Sequence, residues 1–179
     1  RRVEAGLSPD VRSVASVSIS RWDKAVMDKI PDALRDKLGI AVGKECYKAY
    51  RDLLNSDRWQ RLESLGARPQ RLLFASTSTK DPKAPDTMYI QAFAAPNTVN
   101  TMPDETLLAF GDHGKVEGAL SPDGGDYATV LAEYEKAGID VAALAQKLQD
   151  DGAKSFVRSW QDLLKAIDTK CLAFIQTIT

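Results

Sequence analysis

An α/β fold built on parallel strands is what this sequence predicts, on three observations. Short runs rich in β-branched or apolar residues, "SVASVSIS" (13–20), "RLLFAST" (71–77) and "NTVNTM" (97–102), stand far apart. Stretches with helical apolar spacing fill the gaps, and strands separated by helices pair in parallel. The 179 residues show no internal repeat, no low-complexity segment and no clear linker, so one domain is expected over 1–179. Only three strands are visible, which is few for this length, and the two edges of so small a sheet need cover.

In the first run Ser16, Ser18 and Ser20 share one face of a strand, and Val17 and Ile19 share the other. Trp22 to about Leu38 reads as helical, with Pro31 inside it to break or restart the helix. Gly39 punctuates, and Ile40, Tyr47, Tyr50 and Leu54 recur at helical spacing. Ser56 or Asp57 can cap a short helix that Gly66 stops. After the second strand, "DTMYIQAFAAP" reads as a short helix, and after the third, Pro103 opens another with Asp104 and Glu105 beside it. The loop "LSPDGGD" leads into a helix from about Tyr127 to Ala137. Asp140 can cap a further one to about Gln149. Finally Phe156, Trp160, Leu163, Leu164, Ile167 and Cys171 form one stripe, the mark of a long amphipathic helix packed on the rest.

Composition narrows the function classes. Net charge is −1, with 44% hydrophobic and 27% charged residues, so neither nucleic acid nor an anionic membrane is the expected partner. No apolar run approaches the roughly 18 residues that span a bilayer. The first ten residues, "RRVEAGLSPD", are too polar for a signal peptide and lack an initiator Met, which suits a processed or incomplete chain. Cys46 and Cys171 sit in helical patterns without metal-type spacing and read as reduced thiols of a cytoplasmic protein. The single histidine, His113, reads as a loop or helix-end residue.

Chemistry concentrates at two strand ends. The first delivers Ser16, Ser18 and Ser20, then Arg21; the second delivers Ser76, Thr77, Ser78 and Thr79, then Lys80. Ligands of α/β folds bind at the carboxyl ends of parallel strands. Hydroxyls, loop amides and two cations suit a phosphate, which arginine grips bidentately and lysine meets as a point charge. A plainer reading stands beside this one. Serines at strand ends satisfy backbone groups, Arg21 can pair with Asp23 on a solvated face, and Lys80 can be a loop charge. Spacing alone favours the plainer reading, since neither segment is a glycine-rich phosphate loop. Asp23, Asp104 and Glu105 read as solvated carboxylates at helix starts.

The segments "SVASVSISRWD", "GARPQRLLFASTSTKDP", "DTMYIQAFAAPNTVNTMPDETLLAFGDHG" and "GAKSFVRSWQDLL" occur in an order and with gaps that resemble the longer type of bacterial transaldolase. The resemblance covers nearly the whole chain, from about Leu7 to about Ala166. It implies a (β/α)8 TIM barrel of which this chain is the C-terminal portion, about three β/α units carrying strands six to eight. It also implies a metal-free, cofactor-free transfer of a dihydroxyacetone unit between sugar phosphates of the pentose phosphate pathway. Fructose 6-phosphate and erythrose 4-phosphate would give sedoheptulose 7-phosphate and glyceraldehyde 3-phosphate, reversibly, through a lysine Schiff base. In such proteins that lysine lies on the fourth strand, in a segment like "KVPAT", and no such segment occurs in these 179 residues. The Schiff-base lysine and the acidic proton relays are therefore expected upstream, and no catalytic residue is assigned to this chain.

What carries over is the substrate-binding side: Ser16, Ser18, Arg21, Ser76 and Lys80, with Arg21 as the main phosphate ligand. Members of the family usually carry an aromatic at the position of Ser18, a departure that bears on local packing. Asn100 and Met102 fall on the eighth strand as barrel lining, and Lys24, Lys44 and Lys48 lie on helical patterns as solvated charges. The expected partners are sugar phosphates and the missing N-terminal part of the barrel, and a homo-oligomer stays open. The alternative from another class is a non-catalytic sugar-phosphate-binding or assembly module derived from the barrel.

Overall fold

The computed structural model describes residues 1–178, with side chains described to residue 174. The chain divides into two compact units, Arg1–Ile139 and Asp140–Thr179. In the first unit, three strands form one parallel sheet in the order β1-β2-β3: β1 (Ser13–Ser18), β2 (Gln70–Ala75) and β3 (Val99–Asn100). Ser13 pairs with Gln70 and Ser18 with Ala75; Leu73 pairs with Val99 and Phe74 with Asn100. The expected parallel arrangement of the three runs is found. β3 is shorter than its sequence run: Thr101 N still donates to Phe74 O (3.0 Å), and the chain then reaches Pro103, which has no backbone donor.

One face of this sheet is packed by α2 (Leu38–Leu54) and α4 (Met88–Ala92). Val17, Ile19, Leu72 and Phe74 point that way, where Tyr47, Tyr50, Tyr89 and Phe93 meet them in one core. Ile19 and Phe74 are fully buried, and the Phe74 and Phe93 rings stack 4.3 Å apart. Burying each large apolar side chain contributes about 1.5–3 kcal/mol, so this cluster is the main source of order in the unit. The other face is open: Val14 keeps 45% of its surface and Ser16 is exposed.

Two sequence expectations need correction. β1 ends at Ser18, so Ser20 does not share a strand face with Ser16 and Ser18; it is buried at the start of α1 (Ser20–Val26). Nor is there a helix from Trp22 to Leu38. α1 stops at Val26, a single 3₁₀ turn follows at Asp32–Leu34, and α2 starts afresh at Leu38. Pro31 is extended (φ −60°, ψ 150°) and restarts the chain as that turn, and Asp36 takes a left-handed φ of 60° that no helix continues through.

α3 (Asp57–Ser64) is capped by Ser56, whose Oγ accepts from Trp59 N at 3.3 Å, and it ends at Gly66 with φ +88°. Ser56→Ala is expected to cost about 1 kcal/mol, read as a lower urea midpoint with an unchanged slope. α5 (Asp104–His113) and α6 (Tyr127–Lys136) complete the unit. α6 lies against α2, and its buried Tyr134 hydroxyl donates to Leu34 O.

The second unit is one helix, α7 (Val141–Ile178), where two had been expected. Asp140 Oδ1 accepts from Ala143 N (2.9 Å) at its start, as read from sequence. Gly152 lies inside it, at a cost of about 1 kcal/mol relative to Ala, without ending it. Along it Phe156 keeps 75% of its surface and Trp160 61%.

Candidate functional site

The register of β1 on β2 brings the two strand ends together. Beyond the last pair, Ile19 N donates to Ala75 O (2.8 Å) and Ser20 N to Ser76 O (3.1 Å). Both segments therefore leave the sheet side by side at its carboxyl end. Arg21 follows directly as the second residue of α1; it is exposed, and among the described residues it makes no ion pair. Ser16 and Ser18 lie on the open face of the sheet, Ser16 exposed and Ser18 half-buried.

The four hydroxyls after β2 have separate duties. Ser76 is half-buried and takes a left-handed φ of 56°, uncommon outside glycine, which turns the chain out of the sheet. Thr77 is fully buried; its Oγ1 lies 2.8 Å from Asn100 Oδ1 and 3.0 Å from Thr101 O, so it fastens the rim to β3. Thr79 Oγ1 donates to Pro85 O (2.8 Å) and lies 3.2 Å from Asp86 O, closing the loop on itself. Ser78 is buried and accepts from Lys80 Nζ at 2.6 Å. An ammonium has three donors, so Lys80, itself exposed, keeps two for solvent or a ligand. Asn100, half-buried at this rim, has a buried Nδ2 donor that no other described atom takes up.

Asp23 is where sequence reasoning missed most. It does not pair with Arg21 on a solvated face. It is 4% exposed, with Oδ1 accepting from Leu38 N (2.9 Å) and Oδ2 from Gly39 N (3.1 Å) and the Tyr89 hydroxyl (2.7 Å). Burial raises its pKa above the ordinary carboxylate value, against the lowering effect of those hydrogen bonds. Burial and the neighbouring carboxylate push the Tyr89 hydroxyl far up, so it stays a donor. Nothing local in "RWDKA" announces this, because the partners lie on α2 and α4. A second missed tie is Asp81, buried beside Lys80; it accepts from Lys83 N (2.8 Å) and stands 3.5 Å from Arg35 Nη1.

The remaining candidates lie outside this rim. Asp104 and Glu105 are exposed in the first turn of α5, as expected. Lys24 is exposed, but Lys44 and Lys48 are not simply solvated: they pair with Asp126 (2.5 Å) and Asp52 (2.6 Å). His113 ends α5, as its sequence context suggested, and hydrogen bonds to Asp86 and then Asp112 raise its pKa. Among the described residues no cluster of His, Cys, Asp and Glu is suited to a metal ion, and no helix is long and apolar enough to cross a membrane.

Comparison with known proteins bears on what such a rim serves. The family model for transaldolase/fructose-6-phosphate aldolase matches residues 2–167. A transaldolase of Parafrankia sp. (strain EAN1pec) is 45% identical over 166 residues, covering 88% of this chain and 45% of the relative. One from Frankia alni is 43% identical over 174 residues, covering 92% and 47%. One from Neisseria meningitidis serogroup A is 40% identical over 165 residues, again covering 92% and 47%. The chain thus spans about half the length of the curated relatives it matches. On this match, which runs through both strand ends of the rim, the chain belongs to the transaldolase/fructose-6-phosphate aldolase family.

Proposed function

We propose that this chain is the phosphate-binding C-terminal part of a transaldolase, a transferase that moves a dihydroxyacetone unit between sugar phosphates. The observation that carries the reading is the parallel register of β1 on β2, which sends Arg21 and Lys80 out at the same end of the sheet. In a (β/α)8 barrel the active site lies at that end, and such barrels take about 250 residues. Strands β1 to β3 correspond on this reading to the sixth, seventh and eighth of the barrel, and the open sheet face bearing Ser16 and Ser18 is its interior.

The chemistry divides between the two parts. An upstream lysine attacks the ketose carbonyl and forms an iminium with loss of water. The iminium draws the electrons of the breaking C–C bond toward nitrogen, a carboxylate takes the hydroxyl proton, and the aldose phosphate leaves. The retained three-carbon unit then adds to a second aldose phosphate by the reverse path. The task of this chain is to hold the phosphate: Arg21 as bidentate ligand, Lys80 as second cation, Ser76 and the rim amides as donors. Two unpaired cysteines suit a cytoplasmic setting for such an enzyme.

Borohydride trapping tests the division. Full-length protein treated with fructose 6-phosphate and borohydride, then digested and weighed, is expected to carry its adduct on an upstream lysine and on none in this chain. An adduct on Lys80, or on any lysine here, overturns the division of labour. Failure to trap at all, with the upstream part present, favours a sugar-phosphate-binding or assembly module instead.

A further inference from the structure

We infer that Asp23 and Tyr89 are positioning residues that set the separation between the two rim cations, Arg21 and Lys80. The inference rests on the phosphate reading of that rim. α1 has only seven residues, and a helix that short has no stability of its own. Its placement, and with it that of Arg21, depends on what holds it. Asp23, two residues after Arg21, reaches from α1 to the first two backbone amides of α2 and to the hydroxyl of Tyr89. Tyr89, 1% exposed, lies in the first turn of α4, where the loop carrying Lys80 ends. One carboxylate therefore spans the segment of each cation. The loop between them is braced on its own account: Thr79 closes it onto Pro85, and Asp81 bonds to Lys83 N within the loop and to Arg35 outside it.

A helix start does not need so costly a cap. α3 is capped by its own Ser56 hydroxyl, at the surface. Lys37, at the N-cap of α2, makes no side-chain cap bond, and the cap comes from a carboxylate fifteen residues before Leu38, whose amide it accepts from. Burying that carboxylate is unfavourable unless every lone pair facing the interior is met. The arrangement meets them with two amides and a phenol, and the phenol is the one partner that belongs to the other cation's segment. A cap alone would need the amides only. The phenol adds a fixed distance between α1 and α4.

The test is a double-mutant cycle in the full-length protein, read by calorimetric binding of fructose 6-phosphate and of fructose. Tyr89→Phe keeps the buried ring and removes the hydroxyl. It is expected to weaken fructose 6-phosphate about tenfold, in line with the sensitivity of such sites to misplacement, and to leave fructose unchanged. In an Arg21→Ala background the same substitution is expected to add nothing, because there is no guanidinium left to place. A tenfold loss that persists in that background overturns the inference, as does equal weakening of both sugars or a lowered Tm with unchanged binding. Should Tyr89→Phe not fold, Asp23→Asn carries the same comparison. A wild-type protein that binds fructose 6-phosphate but transfers no three-carbon unit sinks the transaldolase reading and leaves this one standing; one that does not bind it sinks both.

Discussion

Gly39→Ala is expected to lower the stability of the protein by about 3 kcal/mol or more, combining overpacking with damage to a buried charged network. A Cβ at Gly39 would lie 2.5 Å from Asp23 Oδ2 and 2.7 Å from Ile19 O. The second of these is backbone at the strand end and has nowhere to go. The first is the carboxylate oxygen that accepts from Gly39 N and Tyr89, so any retreat breaks those bonds. Gly111, in α5, is the control: a Cβ there meets nothing within 4 Å. Gly111→Ala is expected to be neutral or to stabilise by about 0.5–1 kcal/mol through helix propensity. Urea unfolding of the full-length variants reads both. A Gly39→Ala midpoint equal to that of the parent would mean that α1 and α2 separate freely, and would remove the basis for a fixed rim.

The second large effect concerns binding. Arg21→Ala is expected to weaken phosphorylated ketoses by roughly 10–100-fold, the range of one charge-assisted bidentate contact. Unphosphorylated fructose should change by less than about twofold, since it presents no anion. Arg21→Lys should recover part of the loss, because an ammonium keeps the charge but not the planar fork. Equal losses for the two sugars would argue that Arg21 shapes the site rather than gripping phosphate. Its freedom from internal ion pairs among the described residues is what leaves the guanidinium available.

Much of this architecture was legible in the chain because its signals are local. The β-branched alternation of Ser13–Ser18, the Ser56 cap and the Gly66 stop each act within a few residues, and each appears in place. The pairing of two hydroxyl-rich strand ends was legible as a repeated pattern, and the parallel register supplied the adjacency that spacing alone could not. What escaped was non-local. Asp23 looks like any acidic residue in a first helical turn until Leu38, Gly39 and Tyr89 are folded around it. For Thr77 and Ser78 the sequence left a ligand role and a structural one open, and could not name their partners. Folding supplies them: the β3 end for Thr77 and Lys80 for Ser78. The join of the two expected C-terminal helices into α7 also went unread, because one glycine's cost is small against a long run of intact helical hydrogen bonds.

The pairing of Ser13 with Gln70 also has a consequence in time. During synthesis β1 emerges before β2, and the residues of α2 and α3 are made between the two. The ladder cannot begin until β2 has been made, and a loop containing both helices must then close at once. Until that moment Val17 and Ile19 lack Leu72 and Phe74, the β2 residues they share a core with. The slow step expected in folding this chain is thus the arrival of "RLLFA", and nascent chains that stop short of it are the ones a chaperone would be expected to hold.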